Sequence, residues 1–560
     1  MSGAERHRAR PRPRLDRPAL VALVLGLAGL GYRAALVALD VPGSNSDEAT
    51  FGLVAIHIAA GRDFPVFLYG QHYMGTLESY LAAPLFVLFE PTWALLRTPL
   101  LLLYAAFVYL MYRLTRRLYS PWLAVLTVGL LALGSERVVR DQMTAVGGRP
   151  EVKLAVVALL LLAVALGQGR GRHPWLAFSA FGLLAGLALW NDWLVLPYLA
   201  VAVVVLLVGC HRRLLGRAGL LVLLGFLIGL APLVADNLTA PPGQDSLSVF
   251  RQLSHGESEP AALPDRVRGA VLTGIPLAHG VCRPDGCRSW QGWWGPFYLL
   301  LLLVAAVLAV LGLLRPGTPA AGAGEPDAGS AVARRIGYVA QLALVVGAAL
   351  TVAGYARNAL AATAPLASAR YLSTLQISLP AALWPLWVTA RAAWRRAPRT
   401  PVGGRAVARR TGRVAGGGAT VLLAATVAAM IYTTAVLVKH VGEIRAEEAE
   451  ARALATAVRR AGIRDTYAEY WTCNRLIFYT NERVVCAVLG ERLRFGQNRY
   501  DPYPERVNAA ADPAFIFTVG EAADTAFREH LRERGVAARV TDVGPYRIYQ
   551  PDRPVRPWQR

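Results

Sequence analysis

The chain has 560 residues, of which 55% are hydrophobic and only 17% charged, and its formal net charge is +22. A mean hydropathy of +0.38 excludes an ordinary soluble enzyme and describes a mainly α-helical, polytopic membrane protein. The arginines cluster in short loops between apolar segments, so the positive charge sets membrane orientation and implies no nucleic-acid partner.

Residues 1–17 are basic and broken by prolines, and an apolar run too long for a signal-peptide core follows them. They read as a cytoplasmic tail ahead of an uncleaved first span. Apolar runs predict spans near 18–39, 94–112, 121–135, 151–168, 174–190, 192–210, 217–235, 294–314, 336–356, 371–390 and 418–438. The run 77–89 is short and carries Glu78 and Pro84. If it lies at the interface, the arginine clusters at 113–117, 170–172, 212–217, 315–335 and 391–413 all share the side of the amino terminus. The positive-inside rule requires this arrangement. The expectation is a multi-pass protein of the cell membrane with about eleven spans, a cytoplasmic amino terminus and an extracytoplasmic carboxyl end.

The first outer loop, Asp40 to Trp93, contains SNSDEATFGLVAIHIAAG. Ser44 and Ser46 are suitable caps, which puts Asp47 and Glu48 in the first turn of a helix with Phe51, Val54 and Ile58 on one face and Gly61 as its stop. Acids there can simply complement the helix dipole, for about 0.3–1 kcal/mol. A carboxylate held beside hydrocarbon is expensive, however, and therefore a functional candidate. A second surface helix is expected through GQHYMGTLESYL.

Cys282 and Cys287 lie in the loop 236–293 and Cys473 and Cys486 beyond the last span, all on the outer side, where disulfides persist. Their short separations predict the pairs Cys282–Cys287 and Cys473–Cys486, leaving Cys210 as an inner thiol. Segments 315–335 and 391–417 read as cytoplasmic linkers. From Glu443 the composition is that of a soluble domain. A charged helix comes first, then strand-like runs RVVCAV, AFIFTV and YRIY, and a helix at 520–534. The chain thus divides into a tail (1–17), a membrane domain (18–440) and a small extracytoplasmic α/β domain (441–560). The outer domain carries no GxGxxG, Walker, HExxH or GxSxG motif. Its aromatic opening reads as core, with sugar stacking by Tyr470 and Trp471 as the alternative.

The SDEA loop, GQHYMGTLESYL, WALLRTPLLLLY, VGGRPEVKL, GLALWNDWLVLP, GLAPLVADN and ARYLSTL together resemble the C-superfamily of membrane glycosyltransferases. The resemblance is to the protein O-mannosyltransferase and aminoarabinose-transferase branch. It covers roughly 18–440 and the AEYWTCNRLIFYTNERV stretch. It implies transfer of a sugar from a polyprenyl-phosphate donor to an acceptor hydroxyl or amine on the outer face. Asp47 matches the acid of the family's first loop, its base, and Glu48 is the neighbour of that acid.

A lipid phosphate is already a good leaving group, so one base and some cations suffice. Single displacement with one base implies inversion, unlike two-carboxylate retention. Arg137, Arg140, Arg149 and Arg370 break the positive-inside pattern and are candidate phosphate clamps, or else ordinary headgroup contacts. Asp141 is placed to reach the Asp47 region, and Gln71, His72 and Tyr73 are expected to line the same cavity and hold sugar or acceptor hydroxyls. Related oligosaccharyltransferases bind a divalent metal with two loop acids, but here Trp293 and Trp294 are followed by Gly295, not the Asp of that family's WWD signature. No cofactor is expected, and a divalent metal on the loop acids stays open as the alternative. The rival reading is a transporter or flippase of a lipid-linked or polar solute, which predicts two related halves with broken spans. No such symmetry is visible in the sequence.

Overall fold

The computed structural model describes residues 16–170, 173–255, 261–283, 285–315, 328–395, 405–556 and 558. The basic tail and much of the two expected cytoplasmic linkers lie outside the described residues. Helix α1 (Arg17–Ala38) leads into the loop that the arginine distribution assigns to the outer side, here called the first outer loop. It holds α2 (Ser46–Ala59), a ribbon of β1 (Phe67–Leu68) and β2 (Gln71–Gly75), and α3 (Leu77–Leu88). Then come α4 (Trp93–Leu118), α5 (Pro121–Ala132), α6 (Glu136–Met143), α7 (Pro150–Gly167), α8 (Pro174–Asn191), α9 (Leu196–Leu214) and α10 (Arg217–Thr239). A long loop with α11 (Ser246–His255), α12 (Leu263–Gly269) and α13 (Ile275–Ala278) connects to α14 (Trp294–Leu314) and α15 (Ala328–Arg357). Short helices α16 (Leu360–Thr363) and α17 (Pro365–Ser368) precede a 3₁₀ segment, Ala369–Ser378, and then α18 (Leu379–Arg395) and α19 (Arg405–Arg460).

Among the described residues nine helices are long and apolar enough to cross a membrane, or ten if α5 and α6 form one bent span. Two of the expected spans take other forms. The run 121–135 ends as a helix at Ala132, and α6 leaves it at 90°. The run 371–390 is 3₁₀ in its first half and joins the 17-residue α18. Helix α3, with 12 residues and Pro84 inside, is too short to cross a membrane as a span. Residues 71–75, expected in a surface helix, pair as β2 with β1 instead.

The α5–α6 bend strands the last carbonyls of α5, and a buried guanidinium takes them up. Arg33 on α1 is fully buried and donates to the carbonyls of Leu131 (3.2 Å), Ala132 (2.9 Å) and Leu133 (3.1 Å) and to Gln142 Oε1 (2.7 Å). Irregular backbone at membrane depth is tolerated only where protein satisfies it in this way.

Helix α19 is continuous over 56 residues, about 84 Å at 1.5 Å per residue. It joins the expected last span to the expected first helix of the outer domain. Gly442 is the only breaker residue between 433 and 460, and one glycine costs a helix only about 1 kcal/mol. Beyond it lie β3 (Asp465–Ala468), α20 (Tyr470–Tyr479), β4 (Val485–Val488), α21 (Pro502–Ala509), β5 (Ala514–Thr518), α22 (Ala522–Glu533), β6 (Ala538–Val543) and β7 (Tyr546–Pro551). The sheet order is β4-β3-β5-β7-β6, parallel from β4 to β5 and antiparallel on both sides of β7. A disulfide joins Cys473 on α20 to Cys486 on β4, another joins Cys282 to Cys287, and Cys210 is a buried free thiol.

The carboxyl-terminal domain, called outer for the side that the arginine distribution assigns to it, docks onto the first outer loop. Phe478 packs 4.4 Å from the Trp93 ring and fills the space over Gly52, where an added Cβ would sit 2.4 Å from that phenyl ring. Glu448 on α19 accepts from Ser44 N (2.6 Å), Ser44 Oγ (2.9 Å), Arg475 Nη2 (3.0 Å) and the Tyr479 hydroxyl. Glu482 meets His57 Nε2 at 2.9 Å, accepts from Tyr503 at 2.9 Å and pairs with Arg62. Burial alone would raise the Glu482 carboxyl, but hydrogen bonds from His57, Arg62 and Tyr503 outweigh it and hold the group at about 2.

Two predictions follow from this architecture. Because the folded-state value of Glu482 is depressed, its stabilisation is complete above the ordinary value of 4.5 and is lost as pH falls towards about 2. The melting-temperature advantage of wild type over Glu482→Gln should therefore shrink across that window, and a constant difference would show that the contact does not stabilise docking. In a Cys210→Ser background, single cysteines at positions 72 and 520 should label from outside the cell and one at 334 only after permeabilisation. Labelling of 72 and 520 from the cytoplasm would reverse the orientation.

Candidate active site

Asn45 caps α2, its side chain accepting from Glu48 N at 2.9 Å. Ser44, expected in a capping role, turns instead to Glu448. Consecutive residues on a helix point about 100° apart, and here that separates the two acids. Glu48 faces the bundle, fully buried. Arg97 of α4 grips it in bidentate fashion, Nε to Oε1 at 2.7 Å and Nη2 to Oε2 at 2.6 Å, and Ala145 N adds a bond of 3.2 Å. Asp47 faces outward with its side chain 30% exposed. Its Oδ1 accepts from the Tyr470 hydroxyl and from Arg499 Nη2 at 3.0 Å. No protein donor bonds Oδ2 among the described residues.

Arg499 and Tyr470 belong to the outer domain. The Arg499 side chain is only 6% exposed, and its Nε donates to the Tyr470 hydroxyl at 3.0 Å. With its carboxamide oxygen turned inward, Gln71 accepts from Arg499 Nη1 (2.9 Å) and Nη2 (3.2 Å). The pleat of β2 then sends His72 to the opposite face, where it lies 3.9 Å from Asp236 at the outer end of α10. Tyr73 returns to the side of Gln71, within the fields of Arg370, Arg499 and Asp192, and burial pushes its phenol up to about 12. Gln71 and Tyr73 thus share the surroundings of Asp47, and His72 does not.

The second outer loop contributes an arginine-carboxylate-arginine group. Asp141 on α6 is buried between Arg137 Nε (3.1 Å) and Arg149 Nη1 (3.2 Å), one to each oxygen. Arg137 also donates to the carbonyls of Leu366 and Ala367, both at 3.0 Å, which ties α6 to α17. Arg140 stands apart in a surface pair with Glu136 (2.9 Å), worth about 1 kcal/mol or less. Arg370 packs 5.2 Å from the Tyr371 ring, has no carboxylate at contact distance among the described residues, and lies within the fields of Asp47 and Asp141.

Beneath these groups lies a set of buried acids that the sequence reading did not single out. Gly147 and Gly148 both adopt φ +71, and at Gly148 a Cβ would sit 1.9 Å from Asp192 Oδ2. This turn aims two amides inward: Gly147 N to Glu78 Oε2 (2.9 Å) and Gly148 N to Glu151 Oε1 (2.6 Å). Burial, reinforced by neighbouring Glu151, raises the Glu78 carboxyl well above its usual range. Burial likewise lifts Asp192, at the break between α8 and α9, to about 7. Among the described residues no three His, Cys, Asp or Glu side chains gather where they could hold a metal ion.

The residues missed by sequence are Arg499, Asp192, Glu151 and, in its contact role, Tyr470. Arg499 sits in an irregular segment without a motif, 452 positions from its partner Asp47, and nothing local marks it.

Two solved structures of ArnT from Cupriavidus metallidurans, one in the apo state and one bound to undecaprenyl phosphate, superpose with a TM-score of 0.54 over 95% of this chain and 97% of theirs, at 14% identity. The fold is that of these ArnT structures. The archaeal oligosaccharyltransferase AglB from Archaeoglobus fulgidus, in complex with an inhibitory peptide and a dolichol-phosphate, matches at a TM-score of 0.46 and 12% identity, covering 94% of this chain and 74% of its own. No family model and no curated protein matches the sequence. The likeness to ArnT is therefore one of architecture.

The Glu48–Arg97 pair yields a stability prediction. Removing one partner of a buried ion pair leaves an uncompensated charge and costs about 3–5 kcal/mol. Glu48→Ala should lose stability on that scale, while Glu48→Leu combined with Arg97→Met should recover most of it, read by thermal unfolding in detergent. Equal losses in the single and double variants would show that the pair does not act as a unit.

Proposed function

We propose that this protein is a glycosyltransferase of the cell membrane that moves a sugar from a polyprenyl-phosphate donor to an acceptor on the extracytoplasmic face. The observation that carries the reading is the state of Asp47. One oxygen is fixed by Tyr470 and Arg499, and the other has no protein partner among the described residues, on a side chain 30% exposed. A carboxylate so oriented is ready to accept a proton from an acceptor hydroxyl or amine. The undecaprenyl phosphate bound by ArnT supports a lipid-phosphate leaving group here.

In this mechanism Asp47 Oδ2 takes the acceptor proton as the acceptor oxygen or nitrogen attacks the anomeric carbon. The bond to the lipid phosphate breaks on the opposite face, giving inversion. The leaving phosphate carries its own negative charge and needs cations rather than an acid. Arg370 is the foremost clamp, because no carboxylate occupies it among the described residues, and Arg149 keeps further donors beyond the one engaged by Asp141. All three nitrogens of Arg137, by contrast, are already engaged, by Asp141 and by the Leu366 and Ala367 carbonyls. Gln71 and Tyr73 flank the same space for sugar hydroxyls. Glu48 acts through position: its grip on Arg97 sets the rotation of α2 and so the direction of Asp47.

The test is incubation of purified protein with a panel of polyprenyl-phosphate hexoses and pentoses, following loss of donor. Asp47→Asn keeps shape but not basicity and should lower turnover by about 10²–10⁴-fold, with donor binding little changed. Tyr470→Phe and Arg499→Gln should lower turnover less and alter its pH profile, since they orient the base rather than replace it. Near-normal turnover by Asp47→Asn would remove the assigned base. Consumption of no donor by wild type would favour the transporter reading.

A further inference from the structure

A second charged cavity lies at the opposite end of the bundle from Asp47, independent of the chemistry there. It has a volume of about 390 Å³ and is walled by the ends of α7, α8, α9 and α10. Three guanidinium groups line it, Arg170, Arg213 and Arg217, and its apolar wall is formed by Leu166, Trp175 and Phe178. Helix α7 ends here because Gly169 takes φ +65, and Arg170 N closes back on the Ala165 carbonyl at 2.9 Å. That turn delivers Arg170 to the cavity mouth.

The electrostatics are incomplete as they stand. Helices α8 and α10 begin at this cavity, and neither has an acidic residue in its first turn or a side-chain cap bond. Arg217 opens α10, although a cation at a helix N-terminus is the disfavoured sign. None of the three arginines has a salt bridge or side-chain hydrogen bond among the described residues. Helices α7 and α9 end here with their negative termini, which suit Arg170 and Arg213, so the misplaced cation is Arg217 at the start of α10. Three guanidinium groups lining one cavity without a carboxylate repel one another unless an anion sits among them, and their forks suit the oxygens of a phosphate.

The surroundings identify the source of that phosphate. Helix α10 is the least covered of the candidate spans, with only 17% of its apolar window buried. Leu220, Leu223, Leu224, Leu227 and Ile228 are 47–66% exposed and run down α10 from the cavity. An apolar track leading away from a cationic pocket fits a molecule with a phosphate head and hydrocarbon tails. We propose that this cavity binds the phosphate of an anionic glycerophospholipid through Arg170, Arg213 and Arg217, with the acyl chains lying along α10. The positive-inside reading puts this lipid in the inner leaflet.

The full chain, purified in detergent, is titrated with phosphatidylglycerol, phosphatidylcholine or inorganic phosphate, and bound lipid is counted by native mass spectrometry. Wild type should retain phosphatidylglycerol over phosphatidylcholine, with no displacement by equimolar inorganic phosphate. The triple variant Arg170→Gln, Arg213→Gln, Arg217→Gln should lose at least tenfold in affinity. A control triple, Arg315→Gln, Arg334→Gln, Arg335→Gln, removes the same charge elsewhere on that side of the membrane and should keep it. Ala218→Glu puts a carboxylate into the cavity at the start of α10 and should expel the lipid without unfolding the protein, so it decides the matter if the triple variant fails to fold. Equal losses in the two triples would mean diffuse surface attraction and overturn the site. Displacement by equimolar phosphate would overturn the lipid assignment, and undiminished lipid binding by Ala218→Glu would overturn the location.

Discussion

The Glu48–Arg97 ion pair is the constraint on which the outer half of the molecule depends. Both side chains are buried, and taking two charges out of water costs several kcal/mol each before their attraction returns any of it. Here the geometry is close to the best available, two parallel N–H···O bonds of 2.7 and 2.6 Å plus a backbone amide. Such a pair contributes little net stability compared with a hydrophobic replacement, but it admits one arrangement only. It locks α2 against α4 at one rotation, and with α2 goes Asp47. It also takes Glu48 out of reach of any substrate, so that a sequence dipeptide of two similar acids becomes one structural and one exposed group.

The outer domain completes what that pair begins. Three polar clusters join it to the first outer loop: Glu448 with Ser44, Glu482 with His57 and Arg62, and Arg499 with Asp47 and Gln71. Charge-assisted bonds of this kind contribute about 1.5–3 kcal/mol each when geometry is good. Phe478 packed over Gly52 and against Trp93 supplies the apolar seal between them. The continuous α19 supplies the reach, since it carries the chain out of the bundle without a flexible joint. The domain is therefore a wall of the site, with Arg499 and Tyr470 touching the exposed carboxylate directly.

Much of this was legible from the sequence, and the reasons differ by residue. Spans declare themselves by apolar length, and the short α3 by its Glu78 and Pro84. The acid pair stood out because carboxylates are rare next to hydrocarbon. The runs 483–488, 514–519 and 546–549 announced β4, β5 and β7 through their apolar and aromatic content. By contrast β3, Asp-Thr-Tyr-Ala, carries too few apolar residues to declare itself, and its burial comes from parallel pairing on both sides. The 371–390 run is apolar enough for a span, and periodicity does not distinguish 3₁₀ from α backbone. Residues 71–75 were misplaced because GQHYMG has no clear period, and β2 exists through its pairing with β1. Arg499 and the capping of α5 by Arg33 are products of long-range contact, which no local pattern encodes.

The charge distribution around Asp47 connects these particulars. Arg137, Arg149, Arg370 and Arg499 lie within one another's fields or share partners there, while the carboxylates engaged with them are Asp47 and Asp141. Burial raises the carboxyls of Glu78 and Asp192, the latter to about 7, which disfavours their charged forms. Four arginines thus face two engaged carboxylates in a place partly shielded from water, where the effective dielectric is low and an unmatched cation is costly. In the proposed reaction a phosphate is the group that would relieve this imbalance, so donor binding and carrier release would draw on the same set of arginines. Asp47, with Oδ1 held by one of them, would keep Oδ2 for the acceptor.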